Sequence, residues 1–139
     1  MKKTLVIVVL GLLFSGNAYA ENIALICKFV SGDHLTADRK VIKLGSHGVE
    51  ADDVVVKLDT KRKKLIGDSA HSDNAAVFWE DDLITWWPKY NSKISNTSFE
   101  LNRYSGQLIV KTITNNSGSS AVDGITNIKF NCSKTNKMF

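Results

Sequence analysis

The residues best equipped for chemistry in this chain are aromatic. Trp79, Trp86, Trp87 and Tyr90 fall within a dozen positions of one another. Indole and phenol rings combine a large apolar body with a polar tip, so they stack on sugar rings and anchor protein partners. Trp86 and Trp87 are adjacent. On a β-strand, neighbouring side chains point to opposite faces, so one of the two packs inward and the other lies on the outer face or at a rim. An outward ring beside Trp79 or Tyr90 forms a platform, and Arg103 is a further contact candidate. The competing role for each Trp is core packing, which strands favour.

Other chemistry is thinner. Lys61-Arg62-Lys63-Lys64 is a basic cluster suited to an anionic surface, although Asp59 and Asp68 dilute it and a solvated turn explains it as well. Glu80-Asp81-Asp82 is acidic but lacks the spaced oxygens and the Gly of a calcium loop. Adjacent carboxylates in one turn do not straddle a glycosidic bond. His34, His47 and His71 show no metal-ligand spacing, no G-x-S-x-G is present, and all three are expected in solvent-facing loops. No cofactor or metal is implied. The N-x-S/T sites at Asn96, Asn115 and Asn131 matter only in a eukaryote.

The elements that must position these residues read as strands. Short runs rich in Val, Ile, Phe and Trp alternate with turn-prone clusters: 23–30, 40–44, 53–59, 63–67, 75–80, 83–87, 96–103, 107–113 and 125–132. Their length and spacing predict an all-β sandwich or barrel. A short helix over Ser31–Asp38 is the one helical option. Phe99 and Leu101 alternate with polar neighbours, as do Leu108 and Val110, and the intervening Arg103-Tyr104-Ser105-Gly106 supplies a turn whose Gly accepts positive φ. Val54, Val56 and Leu58 form one face before a charged tip at Thr60–Lys63, and a third hairpin turns at Glu80–Asp82. Asn115–Gly124 reads as a polar surface loop, and Ser133–Phe139 as a fraying tail.

Residues 1–20 begin with Lys2 and Lys3, continue through an apolar core from Leu5 to Phe14 and close on Ala18-Tyr19-Ala20. This is the layout of a bacterial-style secretory signal peptide, too short in its apolar core to span a bilayer. Residues 21–139 are then a single β domain, periplasmic or secreted, with no stable membrane insertion after cleavage. Loss of Lys2 and Lys3 brings the formal charge from +4 to +2, which does not predict nucleic-acid binding. Two cysteines, Cys27 and Cys132, lie 105 residues apart, near the ends of that domain. In an oxidising compartment they are expected to pair, which brings the first and last strands together and favours an antiparallel barrel or sandwich of about eight strands.

The pattern F-x-L-N-R-x-S-G-x-L (Phe99–Leu108) and the ending Phe130-Asn131-Cys132 resemble small secreted proteins of bacteria and their phages, families with no assigned activity. The Phe78-Trp79 pair resembles an aromatic pair in the periplasmic inhibitors of c-type lysozyme, compact β-barrels with a disulfide. The Ser-Gly-containing loop before that pair has no counterpart here, since Asp68–Asn74 holds no Gly, and no inhibitory residue is carried over. The expectation is a non-catalytic binding or inhibitory module with a protein or carbohydrate partner in the cell envelope. A lipocalin-like carrier of a small apolar ligand is one alternative. A hydrolase of cell-wall or sugar substrates, using Glu80, Asp81, Asp82 or His71, is the other.

Overall fold

A computed structural model describes residues 22–45, 51–67, 75–88, 95–115 and 122–135. Residues 1–20, His47, His71, Tyr90 and most of the 115–124 loop, about which the sequence makes specific predictions, lie outside them. The described residues contain no helix and form nine strands: β1 (Asn22–Thr36), β2 (Val41–Leu44), β3 (Val54–Asp59), β4 (Lys64–Leu65), β5 (Ala76–Trp79), β6 (Leu83–Trp87), β7 (Ser95–Asn102), β8 (Gln107–Asn115) and β9 (Val122–Thr135). They make one antiparallel sheet in the order β4-β3-β1-β9-β8-β7-β6-β5, with β2 added on β1. The sheet curls into a nearly closed barrel of eight strands.

Period-2 patterning builds the interior. Val56 and Leu58 on β3, Ile84 and Trp86 on β6, Phe99 and Leu101 on β7, Leu108 on β8 and Phe130 on β9 are all buried. The polar residues between them, such as Thr85 and Glu100, fall on the other face. Trp86 is fully buried and lies flat on Phe99, ring centroids 5.1 Å apart and planes 3° from parallel.

The first and last strands meet along their lengths. Cys27 and Cys132 are directly opposite each other in the β1–β9 ladder and form a disulfide. Closing a loop of about 100 residues restricts the unfolded chain by about 4.7 kcal/mol in the chain-entropy model. For a domain with a total of roughly 5–15 kcal/mol, that is a principal support.

Asn115 and Val122–Gly124, read from the sequence as loop, are instead the paired ends of β8 and β9, and two further regions depart from the sequence reading. Ser31–Thr36 is not a helix: it continues β1. A register shift between Phe29 and Ser31 leaves Val30 as an extra residue, so the strand bends and carries on against Ile128 and its neighbours. Gly32 suits that bend, because a Cβ would stand 2.8 Å from Leu44 Cδ1 and 3.1 Å from the Asn127 carbonyl oxygen, so its neighbours would have to shift. Likewise Ser133–Thr135 does not fray but ends β9, pairing with Ala24–Ile26.

Candidate functional site

The three tryptophans occupy three different environments. Trp86 belongs to the core. Trp87, its neighbour, is 36% exposed on the outer face, where it meets Phe78, 62% exposed, edge to face at 5.4 Å and 87°. The β5–β6 ladder opposes Phe78 to Thr85 and Ala76 to Trp87, so the two rings touch diagonally across it. Trp79, two residues on from Val77, faces inward instead and packs half-buried against the core. Phe78 is thus the outward partner that the sequence reading did not single out. The signal was available in the alternation Val77/Trp79 against Ala76/Phe78, but its phase is fixed only by pairing with β6.

Trp79 and Arg103 meet at one end of the barrel. The Arg103 guanidinium lies over the Trp79 ring, 5.5 Å from its centroid. Its Nη1 donates to the carbonyl oxygens of Asp81 (2.7 Å) and Glu80 (3.2 Å), and its backbone N–H donates to the Asp82 carbonyl (2.8 Å). The acidic turn therefore acts through its backbone, as a clamp on Arg103. The β7–β8 turn that carries Arg103 is itself pinned. Asn102 Oδ1 accepts from the backbone N–H groups of Tyr104 (3.0 Å) and Ser105 (2.8 Å), an Asx-type turn. Gly106 has φ +68° and its carbonyl accepts from the Cys132 N–H at 2.8 Å. Any Cβ at Gly106 would lie 2.8 Å from the Cys132 carbonyl oxygen, so only glycine lets the turn sit against β9.

These side chains border a pocket of about 620 Å³. Ile23, Leu25, Leu58, Trp79, Ile84 and Leu101 line it with apolar surface, and Thr60, Asp81, Arg103, Tyr104 and Ser105 supply polar groups. It spans the two halves of the sheet, between the β1–β3 side and the β5–β8 side, where the terminal strands β4 and β5 are not paired with each other.

The remaining candidates are structural in their observed contacts. Lys61–Lys64 are exposed around the β3–β4 turn, which is fastened by the buried Asp59: its carboxylate accepts from the Arg62 N–H at 2.8 Å and lies 3.8 Å from Arg62 Nε. His34 is not in a loop. It is half-buried on β1, with Nδ1 2.7 Å from Thr126 Oγ1. At the β1–β2 turn, the Thr36 hydroxyl and then Lys40 hold the exposed Asp38 carboxyl below its ordinary range. Among the described residues, no group of three or more His, Cys, Asp or Glu side chains is arranged to hold a metal ion. No helix among them is long and apolar enough to cross a membrane.

No known protein family, curated protein or solved structure matches this chain.

Proposed function

We propose that the chain is an exported, non-catalytic binding module that docks on a protein partner in the cell envelope or outside the cell, through Phe78 and Trp87. The observation that carries this reading is the exposed edge-to-face pair on the outer face of β5–β6. Rings set at 87° form a ridge rather than a flat platform, which suits insertion into a cleft on a protein better than stacking on a sugar. Buried aromatic anchors dominate the energetics of such contacts. Export is supported by the leader-like residues 1–20 and agrees with the Cys27–Cys132 bond. A module of this kind inhibits when the surface it covers is a partner's active site.

The test is affinity capture from envelope extract and from host secretions with the oxidised chain of residues 21–139. One bait carries the native sequence, one carries F78A and W87A together, and one carries V41A, an exposed apolar change on β2. A partner retained by the native and V41A baits and lost by F78A/W87A supports docking through the pair. Equal capture by all three baits, or no specific capture, overturns it.

A further inference from the structure

The pocket at the Arg103 end of the barrel is built differently from the outer aromatic ridge, and it calls for a different ligand. We propose that it is a binding site for a single-chain amphiphile carrying one negative charge, of the medium-chain fatty carboxylate class, with the chain inside the barrel mouth and the head group at Arg103. This assignment stands independently of partner docking through Phe78 and Trp87.

Size and lining come first. About 620 Å³ lies within the range of small-molecule sites, and an apolar lining with a few convergent polar groups is their usual composition. Of the apolar lining, Ile23, Leu25 and Trp79 are the half-buried side chains that a ligand can touch, with Leu58, Ile84 and Leu101 buried behind them. This surface offers only dispersion and hydrophobic contact, so it accepts an alkyl chain and discriminates little along it. The middle of the barrel is filled by Trp86, Phe99, Leu108 and Phe130, so the chain it takes is of limited length.

Polarity is set by Arg103. Its Nη1 is committed to the Asp81 and Glu80 carbonyls, and the ring of Trp79 supports the guanidinium face. The fork is held in place before any ligand arrives, which lowers the ordering cost of binding. Among the described residues no carboxylate oxygen lies within ion-pair distance of it: the ion pairs present join Lys40 to Asp38, Lys43 to Asp33 and Arg62 to Asp59. A planar guanidinium with N–H groups directed away from its carbonyl clamp is matched by a carboxylate or phosphate.

Asp81 decides between those two. The residue lines the same pocket and is exposed. Each negative charge on the ligand adds repulsion from this acidic residue, so a monoanion is favoured over a dianionic phosphate monoester.

The experiment is calorimetric titration of the oxidised chain of residues 21–139, below the critical micelle concentrations, with dodecanoate, dodecyl phosphate, dodecanol and dodecyltrimethylammonium. Dodecanoate is expected to bind one to one and more tightly than the other three. R103Q is expected to weaken dodecanoate by about tenfold or more, the range for a hydrogen bond to a charged group. D81N, at an exposed position, is expected to bring dodecyl phosphate up towards dodecanoate. This second variant decides the question if R103Q fails to fold. The proposal is overturned by any of three results: no binding of dodecanoate, dodecanol binding as tightly as dodecanoate, or phosphate affinity unmoved in D81N. Equal binding of the alcohol would leave only a non-selective apolar cleft.

Discussion

Trp86 and Trp87 are covalent neighbours of the same residue type, yet one is fully buried and stacked on Phe99 while the other is exposed and touches Phe78 edge-on. The difference teaches that position along a strand, not residue type, assigns the role. Pleating sends one indole into a packed interior, where every contact stabilises the fold. It sends the next onto a surface, where an apolar ring contributes little to folding and stays open to a partner.

The largest effect should follow from breaking the inward side. Trp86→Ala removes a ring with no solvent exposure and leaves a cavity against Phe99. A loss of about 3–5 kcal/mol in chemical denaturation is expected. A much smaller loss would mean that the stack is not the keystone its burial implies.

Next in size is the staple that holds the strands around that stack. Replacing both Cys27 and Cys132 by Ser should cost about 2–5 kcal/mol, read from denaturation of the native and variant chains side by side. The Phe78–Trp87 ridge lies on β5–β6, far along the sheet from the β1–β9 ladder. Partner capture by whatever fraction remains folded should therefore survive the loss of the bond, which separates the outer ridge from the frame beneath it.

A smaller and more local effect should come from Gly106→Ala. The φ of +68° and the 2.8 Å approach to the Cys132 carbonyl together oppose a Cβ. A loss of about 1–3 kcal/mol is expected. The displaced turn carries Arg103, so dodecanoate affinity should fall with it while Trp87 keeps its surroundings. That would sharpen the contrast between a pocket that depends on turn geometry and a ridge that does not.

Much of this architecture was legible in the residues. Every strand has a counterpart among the apolar runs, and the three hairpin turns fall at Thr60–Lys63, Glu80–Asp82 and Arg103–Gly106 as the turn chemistry implies. The pairing of Cys27 with Cys132 also matches the expectation drawn from two cysteines near the ends of the domain. What was not legible depends on three-dimensional register. The bulge at Val30 hides the second half of β1, because Ser31-Gly32-Asp33 looks locally like a break. Alternation along Leu83–Trp87 shows that Ile84 and Trp86 share a face, but only pairing with Phe99 and Leu101 on β7 makes that face the inner one. The meeting of Arg103 with Trp79 joins the β7–β8 turn to the end of β5, distant in sequence, and no local pattern encodes it.

The smallest effect on folding, and the sharpest test of the contrast, is expected from Trp87→Ala. The ring is partly solvated, so its removal leaves no sealed cavity, and what is lost is mainly the edge-to-face contact with Phe78. Such contacts contribute about 0.5–1.5 kcal/mol, and exposure puts this one at the low end, below about 1 kcal/mol in denaturation. The same substitution should nevertheless reduce partner capture, since a docking ring is buried only in the complex. Stability and binding would then part company at Trp87 and travel together at Trp86, where loss of binding follows loss of fold. If Trp87→Ala instead destabilised the chain as much as Trp86→Ala, both indoles would be structural and the outer face would lose its claim to a partner.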